Sequence, residues 1–151
     1  ASAAGCRDQY LTPNKHNVKK VRTAMLCLLN RERTKRGVKA LDSHRALRKA
    51  AQRHSGSMVR RSYFDHTGAD GSSPKSRMKK AGYSGGYFAE NLSWGAGPYA
   101  TARNVVRRWM KSSEHRQNIL RGVYDHVGVG VAIGNPQGRR GATVTTTFGG
   151  R

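Results

Sequence analysis

The chain carries 29 Lys and Arg against 8 Asp and Glu, and only three of those acids are glutamates: Glu32, Glu90 and Glu114. In so basic a chain, chemistry is to be sought where a rare acid meets a histidine, because a neutral imidazole with a carboxylate partner is a good general base or metal ligand. Two places invite that search. Glu114 directly precedes His115 in SSEHRQNIL, residues 112–120, and Glu90 sits in the apolar-flanked run FAENLSW, where alternation puts it on the side of Phe88 and Leu92. An acid in that position needs a cation, hydrogen bonds or a metal, since an unpaired buried carboxylate is strongly destabilising. Pairing with a buried arginine is the plain structural alternative to a functional role. Glu32, between Arg31 and Arg33, reads as a surface ion pair of little energetic weight.

The histidines divide in the same way. His66 follows Phe64-Asp65 in the loop DHTGADGSS, where it is either a turn cap or a ligand. His54 falls on the apolar face of a predicted helix with Leu47, Ala50 and Met58, the place of a core histidine whose hydrogen bonds are met internally. There is no HExxH, no CxxC and no tight His/Cys cluster, so any metal site has to be assembled from distant segments. A Ser-His pair stays open because spacing does not constrain it. GAGP and GYSGG match no phosphate-loop spacing and read as turns.

These residues need elements to hold them. Val18, Val21, Met25 and Leu28 give residues 17–36 a helical stripe that Gly37 ends. Asp42 or Ser43 caps a second helix, and Ser73-Pro74 opens a short third one that stops at Gly82. Residues 87–94 have strand character, and 99–112 form an amphipathic helix with Ala102, Val105, Val106, Trp109 and Met110 on its buried side. VGVGVAIG and GATVTTTFGG, joined by NPQGRR, read as an antiparallel hairpin. Helices first and a hairpin last place the chain in the α+β class, with residues 17–151 as a single domain and residues 1–16 as an N-terminal arm.

Cys6 and Cys27 form an isolated, even pair, which suggests one disulfide; two buried free thiols are the alternative. A bridge would tether the arm to the first helix, and closing a loop of roughly twenty residues contributes about 3 kcal/mol in the chain-entropy model. It would also point to an oxidising compartment and would leave no cysteine nucleophile. Ala1-Ser2-Ala3 with Ala4 resembles what a signal peptidase leaves behind. No stretch approaches the ~18 apolar residues of a membrane span, so no transmembrane segment is expected. At a formal +21 the chain should accumulate on anionic polymers and surfaces with steep salt dependence. Its basic pairs are spread along the chain and no groove-reading motif occurs, which argues against sequence-specific nucleic-acid recognition.

The ordered set LCLLNRERTKRG, LDSHRALRKAAQRHSGSM, YFDH, AENLSWG, Trp109 with SSEHRQNIL, and VGVGVAIG resembles the CAP superfamily, the cysteine-rich secretory, antigen 5 and pathogenesis-related proteins with their SCP domain. The likeness runs from about residue 20 to 149 and is nearest to the compact secreted bacterial form. It implies an α-β-α sandwich, a central antiparallel sheet between helical layers, and an extracellular location. It also implies a cleft lined by two histidines and two acids, with the histidines able to bind a divalent metal such as zinc. Mapped onto this chain, the cleft residues are His66, Glu90 and His115, and the metal ligands are His66 and His115. The fourth member is open: the position three after Trp109 is Ser112 where eukaryotic members have glutamate, and Glu114 is a displaced candidate. Ala89 also departs from the family's usual glycine.

Two functions follow as expectations. One is a monomeric secreted binding or effector protein with a weakly metal-binding cleft, open to a small ligand or lipid, that acts at an extracellular or cell-wall surface. The other is a metal-assisted hydrolase of the same cleft with Glu90 as base. Mainly electrostatic polyanion binding is compatible with either.

Overall fold

The computed structural model describes residues 5–151, so the signal-remnant stretch at residues 1–4 lies outside the described residues. In chain order the elements are α1 (Val18–Thr34), β1 (Asp42–Ser43), α2 (Arg45–Arg61), α3 (Pro74–Lys80), β2 (Tyr87–Gly95), a 3₁₀ turn (Gly97–Ala100), α4 (Ala102–Lys111), α5 (Ser113–Leu120), β3 (His126–Ile133) and β4 (Ala142–Gly150). The strands form one sheet in the order β1-β3-β4-β2. β2 and β3 both run antiparallel to β4, while β1 joins parallel to β3. The sheet is therefore mixed rather than purely antiparallel, and the class is α+β.

Side-chain alternation along the central strands sorts the helices into two layers. Val127, Val129 and Val131 of β3, with Val144 and Phe148 of β4, pack with Met25 and Leu29 of α1, Val105 and Trp109 of α4 and Ile119 of α5. The intervening positions face α2 and are small or hydroxylated. An ideal Cβ on Gly128 would lie 2.1 Å from the Leu47 carbonyl carbon, and one on Gly130 would lie 2.4 Å from that of Ala51. The two glycines thus let the backbone of α2 seat directly on the sheet. Thr147 Oγ1 donates to the Leu47 carbonyl at 2.8 Å, and the Ser55 and Thr145 hydroxyls meet at 2.7 Å, so the threonine face is satisfied by the same helix.

Two local expectations are corrected. Asp42 and Ser43 are taken up by the sheet, and the α2 cap is His44, whose Nδ1 accepts from the Ala46 N–H. Residues 99–112 are not one helix. A 3₁₀ turn precedes α4, whose Thr101 cap accepts from the Asn104 N–H, and the chain breaks at extended Ser112 before α5 begins. Glu32 pairs with Lys35 and Arg36. Its neighbour Arg33 is fully buried and donates to the carbonyls of Lys39, Ile119, Arg121 and Tyr124. That guanidinium locks the end of α1 to the end of α5 without any acidic partner, and burial lowers its pKa.

Cys6 and Cys27 are joined in a disulfide, which fixes the N-terminal segment to α1. Gly130→Val should cost about 3 kcal/mol or more in chemical denaturation, because the added side chain meets helix backbone rather than a movable side chain. Gly86→Ala, with nothing within 4 Å of the new Cβ, should change stability by less than about 1 kcal/mol.

Candidate functional site

Glu90 sits on β2 with its side chain only 1% exposed. Alternation points it toward the α2–α3 layer, and the two elements that meet it there are α3 and the loop leaving α2. The Ser73-Pro74 start sets the phase of α3: the Ser73 side chain accepts from the Ser76 N–H, and a reciprocal bond completes the capping box. One turn on, Arg77 donates to Glu90 Oε2 at 2.8 Å while its other nitrogen holds the Ser72 carbonyl at 3.0 Å. Glu90 Oε1 accepts from His66 Nδ1 at 2.9 Å. Both carboxylate oxygens are thereby occupied. The buried-arginine pairing is present, and it exists together with the histidine contact rather than in place of it.

His54, fully buried on α2, lies with its Nε2 3.9 Å from Glu90 Oε1 and 2.7 Å from the Asp65 carbonyl, to which it donates. Its Nδ1 has no hydrogen-bond partner, so it is not the internally satisfied core histidine the sequence suggests. The Asp65 bond also fixes the loop that presents His66.

His115 arrives from the opposite layer. Asn91, the next residue on β2, points away from Glu90; it donates to the His115 carbonyl at 3.1 Å and accepts from Asn118 Nδ2 at 2.9 Å, which anchors α5 to this strand. The His115 ring stacks on Trp109 with centroids 6.3 Å apart, and its Nδ1 is hydrogen-bonded to Ser112 Oγ at 2.8 Å. Of the two candidates for the fourth position, Ser112 contacts the histidine. Glu114 is exposed in the first turn of α5 and acts on His115 only through its charge.

His66 thus meets β2 through its ring, and His115 meets it from the other layer through its backbone carbonyl. Their pKa values move apart. The hydrogen bond from Glu90, aided by its charge, raises His66 above the ordinary 6.5, against a smaller effect of burial. His115 is lowered, first by burial and then by the charge of His66. Burial also lowers His54. Each site imidazole has Nδ1 engaged and Nε2 without a hydrogen bond among the described residues. A histidine held by a carboxylate through one nitrogen is oriented to offer the other to a ligand.

Residues 26–148 match the CAP, cysteine-rich secretory protein family. The chain belongs to that family. It is 40% identical over 103 residues to YkwD of Bacillus subtilis, covering 68% of this chain and 39% of that protein. With the B. subtilis membrane protein YlbC it shares 30% over 117 residues, 75% of this chain and 33% of the relative. The chain therefore spans between a third and two fifths of these relatives. An extracellular SCP-domain protein of Bacillus anthracis superposes with TM-score 0.77 at 19% identity, over 92% of this chain and 44% of the other. An outer surface protein of Borrelia burgdorferi does so with TM-score 0.76 at 19% identity, over 93% and 98%. These likenesses establish the fold.

Arg77 is the site residue that the sequence analysis missed. It belongs to a run of basic residues in a helix too short to show periodicity, and only the Ser-Pro start hinted at its phase. Arg77→Met should lose about 3 to 5 kcal/mol, since it leaves a buried carboxylate without its cation, and adding Glu90→Gln should restore part of that loss. In imidazole NMR titrations, His66 should titrate above 6.5 and His115 below it. Because the folded pKa of His66 is raised, its contribution to stability is complete below the unfolded value and fades as pH climbs through the folded one. The stability gap between wild type and His66→Gln should accordingly be widest in acid and narrow toward alkaline pH.

Proposed function

We propose that this chain is an extracellular binding protein whose ligand site is the His66, Glu90 and His115 group, and that no turnover takes place there. The supporting observation is the state of Glu90. A general base needs a free oxygen facing the reacting proton. Here one oxygen is held by Arg77 and the other by His66, in a buried side chain. The disulfide, and relatives described as extracellular or outer-surface proteins, favour the location.

Among the described residues no group of three His, Cys, Asp or Glu could hold a metal ion. The donor set fits a weakly held divalent ion on the two imidazoles and does not fit a closed or hydrolytic centre, which takes three or four protein ligands. A bound zinc ion would supply a Lewis-acidic position for a ligand oxygen or nitrogen; His66 and His115 would hold it, and Glu90 would orient His66. Calorimetric titration with zinc should show one weak site that disappears in His66→Ala and in His115→Ala and weakens about ten-fold or more in Glu90→Gln. Tight binding untouched by the histidine variants, or hydrolysis of a peptide, glycan or phosphodiester lost in both of them, would overturn this function.

The charge favours a second, compatible role in attachment to anionic wall polymers or lipid surfaces. Retention on an anionic polymer should then fall steeply and log-linearly with salt. Retention that persists unchanged at high salt would rule that role out.

A further inference from the structure

Residues of α2, the 62–73 loop and α3, Arg77 among them, line an open-mouthed cavity of about 510 Å³. Neither His66 nor His115 lines it. Arg53, Arg60, Arg61, Arg77 and Lys80 do, against one acid, Asp70. Asp70 is turned to its own loop, where it accepts from the Ser72 N–H. Arg77 is committed to Glu90 and Ser72. Among the described residues Arg53, Arg60, Arg61 and Lys80 form no ion pair within 4 Å. Asp70 acts on Lys80 at longer range, and the arginines line this space without a salt bridge to a protein acid.

The cations are also placed. Arg60 folds back along α2 over Gly56, so closely that a Cβ there would sit 2.7 Å from its guanidinium nitrogen. That brings Arg60 toward Arg53, two turns earlier on the helix, although like charges repel. His54 lines the cavity from the buried side and carries the orphaned Nδ1. Ser57, Tyr63, Ser72 and Ser76 add hydroxyls to the wall.

We infer that this cavity binds a phosphate monoester on a polyol- or sugar-sized body. Guanidinium forks match phosphate oxygens in geometry and charge, and a dianion answers several cations better than a carboxylate does. The volume lies in the ordinary range for small-molecule sites of roughly 300 to 1,000 Å³ and leaves room for more than a bare phosphate. The wall hydroxyls are held in place by the protein, Ser57 by Tyr63, Ser72 by Arg77 and Ser76 by Ser73, so the cations carry the recognition. The site shares Arg77 and His54 with the surroundings of Glu90 but includes neither His66 nor His115, so it is tested separately from the imidazole site.

The test is calorimetry with glycerol 3-phosphate, inorganic phosphate and sulfate at constant ionic strength. Glycerol 3-phosphate should bind one to one and more tightly than either inorganic ion. Arg53→Gln/Arg60→Gln should weaken it about ten-fold or more, while Arg139→Gln/Arg140→Gln, which removes the same charge from the β3–β4 turn, should change it less than about two-fold. Gly56→Leu displaces Arg60 without altering net charge and should also weaken binding. Thermal midpoints close to wild type for all three variants show that the comparison is between folded proteins. Phosphatidic acid vesicles, which carry the monoester on a lipid, distinguish sources: a cavity reading the lipid-borne ester loses them in the Arg53/Arg60 variant only, whereas a cavity for the free ester binds glycerol 3-phosphate and not the vesicles. Equal losses in the two double variants, equal affinity for sulfate and the ester, or no saturable binding would overturn the inference.

Discussion

A buried carboxylate must be neutralised where it stands, and Glu90 makes the rest of this site follow from that requirement. Glu90 and its partners come from three places that share no local sequence relation: the edge strand β2, the short helix α3 and the loop after α2. Arg77 supplies the cation and His66 the second hydrogen bond, so the geometry of the loop and the phase of α3 are both tied to one strand position. The same pairing that lets a charge be buried raises the His66 pKa and holds its ring in one orientation. It also engages both oxygens of Glu90, the observation on which the proposed binding role rests.

The sheet edge explains how two layers contribute to one site. In a strand, neighbouring residues face opposite sides, so Glu90 and Asn91 organise different helical layers from adjacent positions. Glu90 gathers α3 and the loop, while Asn91 grips α5 and with it His115. Elsewhere in the sheet the layers are kept apart by β3 and β4. β2 is an edge strand that pairs on one side alone, and groups from both layers are hydrogen-bonded to it. Arg77 further serves as a partition: one nitrogen satisfies Glu90 and the same helix forms a wall of the cationic cavity. The excess of positive charge is thus distributed in two ways, as a general surface property and as a concentrated group of arginines facing a hollow.

Much of the fold was legible because hydrophobic periodicity survives in a single sequence. Helix α1, the long helix α2, strand β2 and the closing hairpin all follow from apolar spacing and turn residues, and the family likeness rests on motifs in a characteristic order. The misplacements occurred where a tertiary partner outcompeted local preference. Asp42 and Ser43 are good cap residues, yet β3 offered them sheet hydrogen bonds and His44 took the cap. The helix read over 99–112 starts only at Ala102, after a 3₁₀ turn, and ends at Ser112, which turns its hydroxyl to His115.

By itself the sequence determined the rarity of acids, hence that a glutamate in an apolar strand had to be answered by something, and it determined which histidines stood in loops or on helix faces. Only the tertiary structure decided that the answer was Arg77 together with His66, that Ser112 and not Glu114 touched His115, and that His54 kept one nitrogen unpaired. The physical reason is range. Periodicity reports which side of an element is buried, whereas the partner of a buried charge is fixed by packing between segments whose separation along the chain carries no signal of their distance in space.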